Sequence, residues 1–285
     1  AAPARADGLS ELETFLRQTQ QGRARFTQVV TPPKKDGEAA PRSKTSSGTF
    51  EFMRPSRFRF QYSKPFEQAI VADGQTLSVG TGIGNAINLD AVSGTLNGTA
   101  SNLTINTMGA VSVAEAVGTD IGTVTITNSG GTTFAATVSA TTLIVTATTG
   151  TVAFQDNLSL TTLTANAGGY NVAITGATNS VTNAVTFNNT GTLTIGDAAT
   201  DSATFSAGVT ATAPTGVSIA GTVAASTGAS TITLGDSDTG VSVTANATVG
   251  GAATGLIDLG DATLADGATL TVGTGIANAI NLDAV

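Results

Sequence analysis

The sequence predicts a mainly β protein, in which an amino-terminal helix and an antiparallel partial barrel are joined to a right-handed parallel β-helix. Three observations support this prediction. All twelve Lys and Arg residues of the 285-residue chain lie between Arg5 and Lys64. Short apolar–polar–apolar triplets fill the later part of the chain, separated by Gly, Asn, Asp and Ser. Residues 72–92 and 265–285 repeat one segment and agree at eighteen of twenty-one positions.

The composition changes near Leu77. Residues 1–77 hold twelve cationic and eight anionic side chains, a net charge of +4, whereas residues 78–285 hold no cation and twelve anions, a net charge of −12. The first copy of the repeated segment begins just before this point. We therefore expect two domains, residues 1–77 and residues 78–285, joined by a recombination, fusion or assembly crossover, or by a natural fusion.

The composition also excludes several functions. The chain has no Cys and no His, which removes thiolate nucleophiles, imidazole bases, disulfides and conventional zinc sites. No run approaches 18 consecutive apolar residues, so no transmembrane helix is expected. A net charge of −8 disfavours nucleic acid, whose binding depends on neutralising phosphates. We expect a protein that is not an enzyme and has no cofactor.

A helix is predicted near the amino terminus. Residues 1–6 are typical of the small-residue stretch that follows a removed signal peptide, which predicts export. Ser10 and Glu13 fit a capping box, and Gly22 is placed to end the helix. The apolar residues at helical spacing are Leu9, Leu12, Phe15 and Leu16.

Period-two patterning then predicts four strands, at residues 23–30, 48–54, 57–62 and 68–72, with a polar loop at 31–47. Alternate positions in the second and third strands carry the aromatic residues Phe50, Phe52, Phe58, Phe60 and Tyr62. The pattern fits an ordinary half-buried sheet. It also fits a curved sheet whose inner face holds an acyl chain or another apolar ligand.

Four motifs in this part resemble the outer-membrane lipoprotein carrier family, LolA, in residues, order and spacing. They are RFTQ at 25–28, GTF at 48–50, MRPSRFRF at 53–60 and VADGQTL at 71–77. The resemblance covers about the first quarter of the chain. It implies a periplasmic carrier of a Gram-negative bacterium, in which an incomplete β-barrel capped by helices shields lipoprotein acyl chains on their way to the outer membrane.

The resemblance also implies roles for two residues. Arg54 matches the arginine that hydrogen-bonds the helical lid and controls its closure, and Phe58 matches the phenylalanine that accepts cargo from the inner-membrane release complex. Without the resemblance, Arg54 is a solvated hairpin arginine and Phe58 a core aromatic residue. The implied partners are lipoprotein acyl chains and the lipoprotein-sorting machinery. The family's further strands and lid helices do not follow Leu77, which implies an impaired carrier.

Residues 78–285 predict a solenoid. Triplets such as Leu103-Thr104-Ile105 and Val172-Ala173-Ile174 recur, often 8–13 residues apart, and two or three of them would form a coil of roughly 20–30 residues. We expect aliphatic side chains alone in a narrow lumen. A β-sandwich array and a largely disordered chain are the alternatives. The composition resembles repeat regions of haemagglutinin-like adhesins, autotransporter passengers and surface-layer proteins.

Several aspartates follow Gly in this part, at Asp197, Asp236 and Asp261. Calcium is conceivable there, but capping of loop amides is the preferred interpretation, and no metal site is predicted.

Three functions remain open: a periplasmic lipoprotein carrier, a structural or adhesive protein at the cell surface, and a chimera without an evolved function. Self-association through the solenoid ends, including fibre formation, is a further expectation.

Overall fold

A computed structural model gives the fold of the chain. The chain separates into two compact units, Ala1–Ser78 and Val79–Val285. The structure describes residues 13–15, 17–31, 43–54, 57–65, 67–80, 84, 86–94, 99–118 and 120–285.

The first unit begins with a short helix, as predicted. Residues 13–15 and 17–18 are helical, and the side-chain amide of Gln20 donates to the carbonyl of Arg17 at 3.4 Å. Leu9, Ser10, Leu12 and Leu16 lie outside the described residues. No helix in the described part of the chain is long and apolar enough to cross a lipid bilayer.

The expectation that Gly22 ends this helix is wrong. The helix ends before Thr19, and Gly22 is the second residue of the first strand, where it pairs with Phe52. Gly22 leaves space for the Phe52 ring, which a side chain would contact too closely. It does not adopt the left-handed conformation that ends a helix.

An antiparallel sheet follows the helix. Its strands are β1 (Gln21–Val30), β2 (Lys44–Met53), β3 (Arg57–Lys64) and β4 (Gln68–Asp73), and each pairs with the next. A short strand, β5 (Thr76–Val79), comes next in the chain. β2 starts earlier than the aromatic pattern predicts, because the polar residues 44–47 continue the hairpin by pairing with residues 27–30 of β1.

The second unit consists of short strands throughout. They are β6 (Ile87–Leu89), β7 (Val92–Ser93), β8 (Ser101–Asn106), β9 (Val111–Val113), β10 (Val117–Gly118), β11 (Ile121–Asn128), β12 (Thr132–Phe134), β13 (Val138–Val145), β14 (Thr151–Phe154), β15 (Leu158–Gly168), β16 (Asn171–Ile174), β17 (Thr178–Val181), β18 (Val185–Asn189), β19 (Thr192–Ile195), β20 (Ser202–Phe205), β21 (Val209–Ala211), β22 (Gly216–Ala225), β23 (Ile232–Leu234), β24 (Val241–Gly251), β25 (Ile257–Leu259), β26 (Ala262–Leu264), β27 (Leu270–Val272) and β28 (Ile280–Leu282).

These strands stack into three parallel ladders, which we call faces A, B and C. Face A contains β6, β9, β12, β14, β16, β19, the first parts of β22 and β24, and β26. Face B contains β7, β10, the first parts of β13 and β15, β17, β20, the second parts of β22 and β24, and β27. Face C contains β8, β11, the second parts of β13 and β15, β18, β21, β23, β25 and β28.

The predicted parallel solenoid is therefore confirmed, with about nine turns. Each turn uses three strands, and paired residues are separated by between 19 residues, from Val124 to Leu143, and 26 residues, from Val223 to Val249. Apolar and polar residues alternate along each strand, so one set points into the lumen and the other toward solvent.

The lumen is not purely aliphatic, which corrects the expectation from the sequence. Five aromatic side chains are almost completely buried in it: Phe134, Phe154, Tyr170, Phe187 and Phe205. The rings of Phe134 and Phe154, on neighbouring coils of face A, are parallel with centroids 5.2 Å apart. Parallel in-register pairing places equivalent positions directly above one another, so an aromatic ring fits the lumen when its neighbour is also a ring.

Asparagine side chains join successive coils at the corners between the faces. Their Oδ1 atoms accept hydrogen bonds from backbone amides one coil further along the chain. The pairs are Asn102 with Thr123, Asn157 with Thr178, Asn171 with Thr192 and Asn246 with Thr269. Backbone amides that leave the ladder at a turn are thereby satisfied.

Candidate apolar ligand face

The sheet of β1–β4 has two chemically different faces. Directly paired residues of antiparallel strands point to the same face, and successive residues point to opposite faces. One face is built from three rows, and we call it the aromatic face. Its rows are Gly22–Phe52–Phe58–Ala72, Ala24–Phe50–Phe60–Ile70 and Phe26–Gly48–Tyr62–Gln68. The structure thus brings the five aromatic residues selected from the sequence together.

The aromatic face also contains Phe26, which the sequence reasoning did not assign to it. The period-two pattern of β1 carried the signal, because it places Phe26 two residues after Ala24. The centroid of the Phe26 ring is 5.0 Å from that of Tyr62 and 5.7 Å from that of Phe60, both in edge-on geometry. Phe26 therefore extends the aromatic cluster onto a third strand.

The rings contact one another across the sheet. Phe50 and Phe60 are nearest, with centroids 4.4 Å apart, and Phe58 lies edge-on to Phe60 at 5.9 Å. Pairs of this kind stabilise a fold by about 0.5–1.5 kcal/mol beyond burial alone. Each of the six rings nevertheless remains partly exposed, so the described residues leave an aromatic surface that a ligand can contact.

Two glycines shape this surface. A Cβ atom on Gly22 would lie 2.6 Å from Cε1 of Phe52, so the Phe52 ring occupies the space that a side chain would fill. A Cβ atom on Gly48 would collide with the carbonyl oxygen of Gln61 on β3. Gly48 lies between Phe26 and Tyr62 in its row, and their rings meet over it.

A concavity of about 640 Å³ lies at the Gly22 end of the sheet. Its lining combines the row Gly22, Phe52, Phe58 and Ala72 of the aromatic face with six residues of the two adjacent rows, which alternate to the opposite face. These six residues are Gln21, Arg23, Glu51, Met53, Arg57 and Arg59. Pockets that hold apolar small molecules in proteins are of similar volume and combine an apolar lining with a few polar groups.

The opposite face of the sheet is charged. Arg23 forms an ion pair with Glu51 at 3.1 Å, and both side chains are largely exposed. Arg57 donates from Nε to the carbonyl of Asp73 at 3.1 Å, and Arg59 donates to Gln61 at 2.8 Å. These exposed contacts contribute little stability, but they keep this face hydrated and leave the aromatic face as the apolar side.

Arg54 lies in the turn after β2 and is exposed. Its backbone amide donates to the carbonyl of Gln20 at 2.8 Å, which ties this turn to the residue before β1. Arg54 is thus at the edge of the aromatic face, beyond Met53, whereas Phe58 lies on the face itself.

The turn after β4 is formed by Asp73 and Gly74, and Gly74 has a φ of 102°. The amides of Thr76 and Gln75 donate to the Asp73 carboxylate at 2.7 and 2.9 Å. These two hydrogen bonds stabilise the carboxylate and lower the pKa of Asp73 below its ordinary value.

Comparison with known proteins concerns the first unit and the start of the second. The family model "Outer membrane lipoprotein carrier protein LolA" matches residues 17–113, which end in β9 of the solenoid. The first unit is similar to the LolA carriers. Among curated outer-membrane lipoprotein carrier proteins, that of Albidiferax ferrireducens is 66% identical over 77 residues, which is 27% of this chain and 36% of the relative.

Two further curated carriers match a similar share of the chain. The protein of Leptothrix cholodnii is 58% identical over 71 residues, 25% of this chain and 31% of the relative. That of Methylibium petroleiphilum is 53% identical over 75 residues, 26% of this chain and 34% of the relative. The chain therefore spans about a third of the length of the curated LolA relatives it matches. No solved structure matches the chain.

The aspartates in the turns of the second unit accept hydrogen bonds from backbone amides. Oδ2 of Asp201 accepts from the amides of Asp197 and Ala198, both at 2.9 Å. Oδ1 of Asp236 accepts from the amide of Thr239 at 2.9 Å, and that of Asp261 from the amide of Ala284 at 2.9 Å. Within the described ranges, no three acidic side chains are grouped so that they could hold a metal ion.

Proposed function

We propose that the first unit is a non-enzymatic lipoprotein-carrier segment that binds acyl chains on its aromatic face. The observation that carries the proposal is the row Gly22–Phe52–Phe58–Ala72, which supplies the apolar part of the lining of a concavity of about 640 Å³ in a segment similar to LolA carriers. The domain boundary near Leu77, export to the periplasm and contact with the lipoprotein-sorting machinery belong to the same proposal.

Two residues have separate tasks in this proposal. Phe58 lines the concavity and presents a ring to the incoming acyl chain. Arg54, at the edge of the aromatic face, holds a covering segment by hydrogen bonds, as the resemblance to LolA implies. The rings remain partly exposed within the described residues, which supports weaker shielding of the acyl chain than a complete barrel would give.

A fluorescent fatty acid tests this proposal. Dansyl-undecanoic acid should bind the full chain with enhanced emission, and Phe52→Ser or Phe58→Ser should weaken binding at least about tenfold, since burial of each ring contributes roughly 1.5–3 kcal/mol. The matched control is Gln61→Ser, on the opposite face of β3. Absence of enhanced emission with the unsubstituted chain, or equal losses in the control, would remove the carrier proposal.

A further inference from the structure

An open groove follows the corner between faces B and C of the solenoid. Its volume is about 460 Å³, and it crosses several successive coils. The residues that line it are Ala100, Asp120, Ile121, Ser139, Ala140, Thr141, Ser159, Leu160, Thr161, Ser180 and Thr182. The groove belongs entirely to the second unit and is separate from the aromatic face.

Two rows of hydroxyl groups form the floor and wall of the groove. Ser139, Ser159 and Ser180 are paired in register on three successive coils, and a threonine follows two residues later in each coil. All six side chains are exposed. Because neighbouring strands are about 4.8 Å apart, each row presents one hydroxyl per about 4.8 Å along the solenoid axis.

These six hydroxyl groups make no hydrogen bond to another protein group in the described part of the chain. Other Thr side chains of the same solenoid are engaged: Thr227, Thr239 and Thr274 donate to backbone carbonyls at 2.6–2.7 Å. The groove therefore offers several donors and acceptors that the fold does not use, each able both to donate and to accept.

Asp120 lies near one end of the groove, one coil after Ala100 and one coil before Ser139. Its Oδ2 atom is buried and has no hydrogen-bond partner among the described residues, which is costly for a carboxylate, whereas the residue as a whole is partly exposed to the groove. Asp120 also has a φ of 62°, and it is alone among the described non-glycine residues in having a positive φ. Its backbone is therefore held in an uncommon conformation at this position.

The charges around the groove restrict the ligand. No Lys or Arg follows Lys64, so nothing in the second unit compensates an anionic ligand, and the net charge of −12 repels one. A single carboxylate does not supply the six to eight oxygen ligands that calcium takes. The exposed lining is polar, which disfavours an apolar ligand. A neutral ligand rich in hydroxyl groups satisfies all of these conditions.

We propose that this groove binds a neutral glycan chain lying along the solenoid axis, with Asp120 accepting hydroxyl hydrogens at one end and the Ser and Thr rows following successive sugars. The regular spacing of the rows suits a polymer better than a single sugar, because the same contacts repeat on each coil. This proposal is independent of acyl binding by the first unit.

Calorimetric titration of the full chain with maltohexaose, cellohexaose and chitohexaose tests the proposal. At least one should bind with a dissociation constant below about 1 mM. The double variant Ser159→Val/Thr161→Val should bind that glycan at least about fourfold more weakly, since each hydrogen bond changes affinity by a factor of about two to ten. Asp120→Asn, which keeps the side-chain shape and tolerates a positive φ, should weaken it about two- to tenfold.

The control is Thr133→Val/Thr194→Val, which removes two outward hydroxyls from face A. It should bind as the unsubstituted chain does, and circular dichroism should show an unchanged fold for every variant. Two results would overturn the proposal: no heat with any of the three glycans up to about 1 mM, or an equal loss in the face A control. Binding of dansyl-undecanoic acid in the same samples should stay constant.

Discussion

At the scale of single residues, two glycines of the first unit have different tasks that their sequence context does not reveal. Gly22 makes room for the end of a flexible ring, whereas Gly48 faces the backbone of the neighbouring strand. A side chain at Gly22 displaces Phe52 and reshapes the concavity. A side chain at Gly48 separates β2 from β3, because the carbonyl of Gln61 cannot move without breaking the ladder.

Gly48→Ala should therefore lower the free energy of unfolding of the first unit by about 1–3 kcal/mol, as overpacking of a rigid contact does. Gly22→Ala should change it by less than about 0.5 kcal/mol. The chain has two tyrosines, one in each unit. In a Tyr170→Phe background, the fluorescence of Tyr62 therefore reports unfolding of the first unit alone. Equal stability of the two glycine variants would argue against this packing.

The neighbouring carboxyl groups Asp197 and Asp201 show how a turn depends on charge. Burial raises the pKa of Asp201, but the donated amides of Asp197 and Ala198 outweigh it, so its pKa lies below the ordinary value of 3.8. Partial desolvation, the hydrogen bond with Asp201 and the charge of Asp201 raise the pKa of Asp197. The first group stabilises the fold when ionised, and the second destabilises it when ionised.

Asp201→Ala should accordingly cost about 0.5–1.5 kcal/mol at pH 7, because the amides of Asp197 and Ala198 lose their acceptor. The contribution of the lowered pKa is fully present above pH 3.8 and is lost as the pH falls below it, so the cost should shrink at pH 3. Asp197→Asn should raise stability slightly at pH 7 and leave it unchanged at pH 3. Urea unfolding at both pH values measures these differences, and Asp266→Asn, in another turn, is the control.

At the scale of strands, the alternation of apolar and polar residues predicted the strands of the solenoid better than it predicted which side chains fill its lumen. The triplets of residues 78–285 predicted short parallel strands, and the structure confirms a solenoid. Aromatic residues in its lumen were not expected, since a single sequence does not show which positions become neighbours on successive coils. Phe134 and Phe154 are 20 residues apart along the chain, and only the register places their rings together.

Phe154→Ala should cost about 3–5 kcal/mol, the typical range when a buried Phe is truncated to Ala and leaves a cavity. The loss should be confined to the solenoid, since each coil contacts only its neighbours. Denaturant unfolding followed by Tyr170 in a Tyr62→Phe background measures it. The matched control, Ala173→Ser on the solvent side of face A, should stay within about 0.5 kcal/mol. A loss in the control as large as that of Phe154→Ala would indicate general fragility instead.

At the scale of the whole molecule, composition revealed the two kinds of sequence, and residue motifs indicated the LolA resemblance. The site was less predictable. Aromatic alternation placed Phe50, Phe52, Phe58, Phe60 and Tyr62 on one face, but the contribution of Phe26 depends on the β1–β2 register. Gly22 was misassigned because a glycine after a helical pattern has two uses, and only the pairing with Phe52 distinguishes them. The glycan groove had no local signal, since its hydroxyls come from separate coils.

The difference between the units should be visible in proteolysis. Trypsin has no cleavage site after Lys64, so it cannot report on the solenoid, whereas subtilisin cleaves at many side chains. We expect subtilisin to leave a resistant fragment that begins near residue 79, because nearly every strand beyond it is paired on both sides. Mass spectrometry identifies the fragment. Rapid loss of all fragments between residues 100 and 260 would contradict a stable solenoid.

The two copies of the repeated segment lie on different faces of the solenoid. The tripeptide Ile-Asn-Leu at 87–89 belongs to face A, and the same tripeptide at 280–282 belongs to face C. The same tripeptide therefore fits more than one face of the solenoid. The 193 residues between the two copies correspond to nine full turns less one face. A duplication by unequal crossing-over between the two copies would therefore lengthen the solenoid and shift everything beyond the joint by one face. Such a variant would carry a second copy of the hydroxyl groove, displaced by one face from the first.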